Sequence, residues 1–264
     1  MKYKAIFIDV DGTLLTDELN ISPGTKTILG KLHKAGILIS IVTARPPGAS
    51  LPFYDQLGIA GNPIICFNGA LILKGDQIFY EATITTATTA TIIEEVKKFA
   101  VSTSLYQQHN WFTNRVDCWI EQEIEITNSV IKAIDFAQLM QADFEPNKIL
   151  CMGAAEIIET AEQHLKMIGF SNLSIHQSKP TYLEIMNNKA SKSQGIEKLI
   201  SAYQINREDI IAIGDNFNDI DMLQYAGTSI AMGNAPDAVK KHATIITESN
   251  NGEGIQKALS ELIQ

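Results

Sequence analysis

Lys4-Ala5-Ile6-Phe7-Ile8-Asp9-Val10-Asp11-Gly12-Thr13-Leu14 is the stretch on which the fold turns. Its first half is an apolar run with little alternation, which predicts a short strand buried on both faces, as in a parallel sheet. The strand ends in two carboxylates, Asp9 and Asp11. In open α/β sheets ligands bind outside the carboxyl ends of the strands, so both acids stand where chemistry is expected. Residues i and i+2 of an extended segment share a face, so the two can point into one pocket. At ~4 Å and an effective dielectric near 20 their repulsion is about 4 kcal/mol, which a cation or a shared proton must relieve. Gly12 lets the backbone approach a ligand closely, and successive amides after the strand can form an anion-holding nest. Taken alone, the segment also reads as an acidic turn, since Asp and Gly are ordinary turn formers.

Working outward, a helix is predicted from about Pro23 to Ala35, with Pro at an early position and Gly36 as its stop. Ile37 to Val42 and Pro63 to Phe67 read as further strands, with Pro46–Pro47 breaking the chain between them. Leu71 to Tyr80 reads as a hairpin turning at Lys74-Gly75-Asp76. The pattern then changes. A Thr-rich stretch, Thr83 to Thr91, reads as a linker feeding a helix that ends near Ala100. Strands near Leu105 and Val116 follow, then a helix, a strand (Lys148 to Met152), a helix (Ala154 to Ile168) and two more strands. Beyond Asn187 the first style returns: a helix from Ser191 to Ala202, strands at Ile210 to Ile213 and Ser229 to Met232, a segment at Ala243 to Ile246, and a final helix from about Gly254. The expected fold is α/β, a Rossmann-like parallel-sheet core (residues 1–81 and 187–264) split by an inserted α/β cap domain (residues 82–186).

Composition narrows the function classes. Of 264 residues, 45% are hydrophobic and 19% charged, as in a globular protein with a real core. A formal net charge of −9 argues against holding nucleic acid by its phosphates, which needs a basic face. Cys66, Cys118 and Cys151 lie far apart and suit neither a zinc site nor a disulfide framework. No apolar run reaches the ~18 residues of a membrane span. The opening MKYKAIFID carries no small-residue cleavage site, and an essential Asp9 would leave nothing upstream to remove. A cytoplasmic protein without membrane association is the expectation.

Three further signals carry chemistry. Gly214-Asp215-Asn216-Phe217-Asn218-Asp219 follows the apolar run Ile210 to Ile213, so Asp215 also stands at a strand end. Its oxygens, with those of Asp9, suit a hard cation that keeps several waters. An EF-hand is the rival reading, but Phe217 fills its third ligand position and the Gly is misplaced. Helix capping by Asn or Asp explains one of these side chains, not a cluster of four. Thr43 ends the second strand, where a hydroxyl and a free amide can hold a phosphate oxygen. Lys192 opens a helix, where the dipole slightly disfavours a cation, so an anion nearby is expected. Lys189 and Lys198 read as surface residues.

Four such elements in this order resemble the haloacid dehalogenase superfamily, in the Cof-type and sugar-phosphate phosphatase branch with an inserted α/β cap (type IIB). The Phe67-Asn68-Gly69-Ala70 segment ahead of the insertion and the long run from Gly214 to Leu223 add to the likeness, which spans the whole chain. Ala44 and Ser193 stand where glycine is common. The resemblance implies a Mg²⁺-dependent phosphoric monoester hydrolase acting on small phosphorylated metabolites through an aspartyl phosphate. Asp9 would be the nucleophile, Asp11 the general acid/base, and Lys192 the charge steadying Asp9 and the phosphoryl group. Gly12, Thr43, Ala44, Lys192 and Asn218 would hold phosphate. Asp9, Asp215 and the Asp11 carbonyl would bind Mg²⁺, with Asp219 supporting that shell.

Substrate choice is expected from the cap, with Gln107 to Phe112, Arg115, Glu121 and Tyr182 as candidate contacts. For Trp111, Phe112 and Tyr182 the core is the competing reading, and Gln108-His109-Asn110 also reads as a hairpin turn. A phosphotransferase or phosphomutase would use the same phospho-Asp, and a silent phosphate-binding regulator would not need nucleophile and acid together. A monomer or small homo-oligomer is expected.

Overall fold

The computed structural model describes residues 2–263, and the chain divides into two compact units. One holds the chain up to Ala44, Ser50–Tyr80 and everything from Ser191 on; the other holds Arg45–Ala49 and Glu81–Ala190. In chain order the first stretch runs β1 (Ala5–Ile8), α1 (Pro23–Lys34), β2 (Leu38–Ile41), α2 (Pro47–Leu57), β3 (Pro63–Cys66), β4 (Leu71–Lys74) and β5 (Gln77–Glu81). The middle runs α3 (Thr86–Val96), β6 (Ser102–Gln107), β7 (Asn110–Thr113), α4 (Cys118–Thr127), β8 (Ile131–Ala133), α5 (Phe136–Met140), β9 (Lys148–Met152), α6 (Ala155–Ile168), β10 (Leu173–Lys179) and β11 (Tyr182–Asn187). The last runs α7 (Lys192–Ala202), β12 (Ile210–Gly214), α8 (Ile220–Tyr225), β13 (Thr228–Ala231), α9 (Asp237–Lys240), β14 (Ile245–Ile246) and α10 (Gly254–Leu262).

The first unit is built on a parallel sheet in the order β14-β13-β12-β1-β2. β1 is central: Ala5 to Ile8 pair with Ile210 to Ile213 on one side and Leu38 to Ile41 on the other, and all four residues are fully buried. That two-sided burial is why the stretch is apolar without alternation. A bridge between Val42 and Ile65 connects the end of β2 to β3, which begins the antiparallel ribbon β3-β4-β5. The carboxyl ends of β1, β2 and β12 thus lie side by side, bringing Asp9, Thr43 and Asp215 to one edge.

The second unit is a six-stranded sheet, β10-β11-β9-β6-β7-β8, antiparallel except between β7 and β8. One face packs on its helices, with Leu105, Ile149, Cys151, Leu183 and Ile185 against Ile92, Ile158 and Leu165.

Three local expectations need correction. Pro46–Pro47 does not simply break the chain, because Pro47 starts α2, a position where its missing N–H is no loss. The Thr-rich stretch is helix rather than linker. α3 begins at Thr86, the Thr85 side chain accepts from Thr88 N, and Thr89, Ile92, Ile93 and Val96 are buried, so packing overrides the modest helix propensity of threonine. The second strand of this unit is Asn110–Thr113, while Val116 lies in a loop and is half exposed. A two-residue turn with Gln108 at φ +52° brings the strand forward.

Candidate active site

Asp9 leaves β1 with its N–H donating to Ile213 O at 3.0 Å, and the chain then turns back on itself. Leu14 N donates to Asp9 O and Leu15 N to Val10 O, closing the turn. Gly12 makes this possible with φ +80°; a Cβ there would lie 2.5 Å from Asp215 Oδ2. Close passage of the Asp9 turn over the Asp215 carboxylate therefore needs glycine on two counts.

Lys192 is the first residue of α7, whose N-cap Ser191 accepts from Gln194 N. The expected anion is present twice. Lys192 Nζ donates to Asp9 Oδ1 at 2.6 Å and also to Asp219 Oδ1, and all three residues are buried. Asp219 uses its other oxygen, Oδ2, to accept from Asp215 N and Asn216 N, each at 2.9 Å. Asp215 Oδ1 accepts from Thr13 Oγ1 at 2.6 Å. Gly69, at φ +100°, is a second position where glycine is required: a Cβ would lie 2.1 Å from Ser191 O, so the Phe67–Ala70 segment lets the start of α7 come close.

Burial first, then the Asp219 charge, push the Asp9 carboxyl well above the ordinary range, while Lys192 opposes them. Burial also pushes Asp215 up, to about 6, against the Thr13 hydrogen bond and with the Asp219 charge adding to it. Lys192 goes the other way. Burial lowers its pKa, but the Asp219 and Asp9 carboxylates outweigh that and hold it charged.

A carboxylate oxygen from each of Asp9, Asp215 and Asp219 lies within 4.8 Å of the others. Three carboxylates against one ammonium leave two negative charges uncompensated when all are ionised, in a buried site where repulsion is strong. The donors are all oxygens, which fits a hard divalent cation. Asp219 is occupied by Lys192 and two backbone N–H groups, so Asp9 and Asp215 have the better claim to touch the ion and Asp219 to support them.

The remaining predicted residues fall around this centre. Thr43 is fully buried at the end of β2, with its N–H on Ile65 O and its carbonyl accepting from Asn68 N; Ala44 follows, half-buried. Asn218 is exposed and its Nδ2 reaches Asn68 Oδ1 at 3.5 Å. The Asp11 side chain is exposed and lies outside the buried trio. Lys189 and Lys198 are both exposed, the latter over the Tyr80 ring. In the second unit Arg115 pairs with Asp117, Glu121 and His109 are exposed, and Trp111 and Tyr182 are buried.

Sequence reasoning missed Asn234. Its Nδ2 donates to Gly12 O at 2.8 Å and approaches Asp215 Oδ2 at 3.5 Å, while its Oδ1 accepts from Asn250 N. Asn250 Nδ2 in turn donates to Leu15 O, so two asparagines tie the Asp9 turn to Asp215. The available signal was position: Asn234 follows the end of β13, at the sheet edge that carries the other groups.

A family model for haloacid dehalogenase-like hydrolases matches residues 6–259. The chain belongs to this family. A protein of Haemophilus influenzae is 34% identical, covering 99% of this chain and 98% of that protein. The pyridoxal phosphate phosphatase YbhA of Escherichia coli is 30% identical, covering 97% of each. Among solved structures, the haloacid dehalogenase subclass IIB sugar phosphatase BT4131 superposes with a TM-score of 0.85 at 25% identity, covering 98% of each chain. Membership makes the chain a phosphoric monoester hydrolase and accounts for the four elements meeting at one edge of the parallel sheet. Among the described residues no helix is long and apolar enough to cross a membrane.

Proposed function

We propose that this enzyme hydrolyses phosphomonoesters of small metabolites, sugar phosphates or cofactor phosphates, in two displacements through an aspartyl phosphate on Asp9. The observation that carries the reading is the buried Lys192 ammonium shared between Asp9 and Asp219, next to Asp215. A carboxylate approaches a phosphate dianion only where positive charge offsets their repulsion, and Lys192 supplies part of it.

In the first displacement Asp9 attacks phosphorus, the P–O bond to the alcohol breaks, and Asp11 protonates the departing oxygen. In the second, Asp11 takes a proton from water, the water oxygen attacks the same phosphorus, and the Asp9–phosphorus bond breaks to release phosphate and restore the carboxylate. Gly12, the Thr43 hydroxyl, the Ala44 amide and Asn218 hold the phosphoryl oxygens. Asp9, Asp215 and the Asp11 carbonyl would hold Mg²⁺, which when bound neutralises charge on the transferring group. Asp219 fixes Lys192 and the backbone of Asp215 and Asn216.

Residues 1–81 and 187–264 act as the catalytic core and residues 82–186 as the cap that selects substrate and excludes water. Pyridoxal phosphate belongs on the substrate panel because of the similarity to YbhA, and sugar phosphates because of the similarity to BT4131. The charge of −9 and three free cysteines suit a cytoplasmic monomer or small homo-oligomer that binds neither nucleic acid nor membrane.

Purified protein assayed on a panel of phosphorylated metabolites with Mg²⁺ or with a chelator tests this. Mg²⁺-dependent phosphate release is expected, abolished in a folded Asp9→Asn variant. Absence of turnover across the panel, or a fully active Asp9→Asn enzyme, would defeat the proposal.

A further inference from the structure

The segment that follows β14 is bonded to the Asp9 turn, with every partner inside the first unit. Asn250 is more than nine-tenths buried and is the second residue of a tight turn, in which Gly252 N donates to Ser249 O at 2.9 Å. Its Nδ2 spends both hydrogens, on Leu15 O at 2.9 Å and on Asp17 Oδ1 at 3.0 Å. Asn251 completes the grip: its Nδ2 donates to Asp17 Oδ2 at 2.9 Å, and its Oδ1 accepts from Asp17 N at 3.0 Å. Asp17 itself is exposed and is not one of the three clustered carboxylates.

These bonds fasten a loop. The backbone N–H of Asn250 is not needed for that, because a turn bonds only its first carbonyl and its fourth N–H. It donates instead to Asn234 Oδ1 at 3.0 Å. A carboxamide turned over keeps its shape while exchanging an acceptor for two donors, so its hydrogen bonds alone set its direction. With Oδ1 held by Asn250, the Asn234 NH2 faces Gly12 O at 2.8 Å and Asp215 Oδ2 at 3.5 Å. Turned over, it would set an oxygen against both of those oxygens.

We propose that Asn250 is a positioning residue for the cation site: its N–H fixes the direction of the Asn234 carboxamide, and Asp17 fixes Asn250. The inference rests on the metal-dependent reading above. The Asn234 NH2 holds the Gly12 carbonyl and with it the peptide that follows the Asp9 turn. It also offers a donor to Asp215, whose carboxylate then stands between Thr13 on one oxygen and Asn234 on the other. Removing groups that orient metal ligands in this way weakens metal binding by about ten- to a hundredfold.

The test separates the N–H from the side chain. Proline is favoured at the second position of such a turn, and Ser249 already has the extended backbone (φ −66°, ψ 166°) that a following proline demands. Asn250→Ala removes the side-chain bonds and keeps the N–H, whereas Asn250→Pro removes both, so the difference between them reports the N–H. Titration calorimetry with Mg²⁺ on the full chain measures affinity, and melts in chelator report the fold. Asn250→Pro is expected to bind Mg²⁺ about tenfold more weakly than Asn250→Ala, with melting midpoints within a few degrees of each other. In an Asn234→Ala background the two should bind Mg²⁺ equally, since no carboxamide remains to be directed. Asp17→Ala should weaken Mg²⁺ binding about threefold with Asn234 present and not at all without it.

The proposal is overturned if Asn250→Pro and Asn250→Ala bind Mg²⁺ equally when Asn234 is present. It is also overturned if proline costs as much when Asn234 is absent, which would make the effect one of loop structure. Should Asn250→Pro fail to fold or melt far below Asn250→Ala, Asp17→Ala decides, and wild-type affinity or an equal loss in both backgrounds overturns the proposal. A wild-type protein that binds no Mg²⁺ would remove the metal-dependent reading itself and this proposal with it.

Discussion

Replacing Lys192 with methionine removes one ammonium while keeping most of its volume. In the folded protein that ammonium lies 2.6 Å from Asp9 Oδ1 and also contacts Asp219 Oδ1, and the three side chains are at most 7% exposed. The variant leaves two buried carboxylates facing each other without a counter-charge. Breaking a buried pair in this way costs about 3–5 kcal/mol. At about 2–4 °C per kcal/mol for a domain of this size, the melting midpoint should fall by roughly 6–20 °C.

The loss should depend on pH, with a definite sign. Burial and the Asp219 charge already hold the Asp9 carboxyl well above its usual range, and Lys192 opposes them, so losing the lysine raises it further. A carboxyl whose folded-state pKa exceeds its unfolded value contributes stability below the unfolded value, and that contribution is lost as pH rises through the folded one. The gap between variant and wild type should therefore be small near about pH 5 and widest near about pH 8. Thermal melts of both proteins at the two pH values, in chelator, measure it. A gap below about 1 kcal/mol at the higher pH, or one that widens on acidification, would refute the reasoning.

Asp215 gives a related expectation for the metal. Its carboxyl is raised from 3.8 to about 6, so its contribution is present below the unfolded value and lost as pH rises through about 6. The loss is on the order of 3 kcal/mol in metal-free protein. Mg²⁺ should restore stability near neutral pH in wild type but much less in Asp215→Asn; equal stabilisation of both in parallel melts would contradict it. Gly12→Ala places a methyl 2.5 Å from Asp215 Oδ2 at φ +80°, so calorimetry should show a destabilisation of about 1–3 kcal/mol, together with weaker Mg²⁺ binding. Asn234→Ala releases the Gly12 carbonyl and should weaken Mg²⁺ binding about tenfold by direct titration, with a melting midpoint within a few degrees of wild type. Unchanged Mg²⁺ affinity would limit Asn234 to a structural role.

The parallel sheet was legible because β1, β2 and β12 are buried and written almost wholly with apolar residues, the buried Ser40 of β2 being met by the Pro63 carbonyl, and each run ends at polar residues. Those strand ends delivered Asp9, Thr43 and Asp215 to one edge, and the misplaced cation at a helix start pointed to Lys192. Helix α2 was hidden because proline at a first helical turn looks, in sequence, like proline that ends one. Helix α3 was hidden because burial of Thr89 and Ile92, rather than propensity, holds it. Asn234 was hidden for a different reason: its partners are the Gly12 carbonyl and Asp215, and no local pattern announces a contact spanning that much chain.

The most direct test of covalent catalysis by Asp9 is the stereochemical course at phosphorus, followed with a phosphorothioate substrate made chiral by two oxygen isotopes and hydrolysed in water carrying the third. Two in-line displacements, first by the aspartate and then by water, predict net retention of configuration. Net inversion would mean that water attacks the substrate in a single displacement, and the assignment of Asp9 as nucleophile would be wrong.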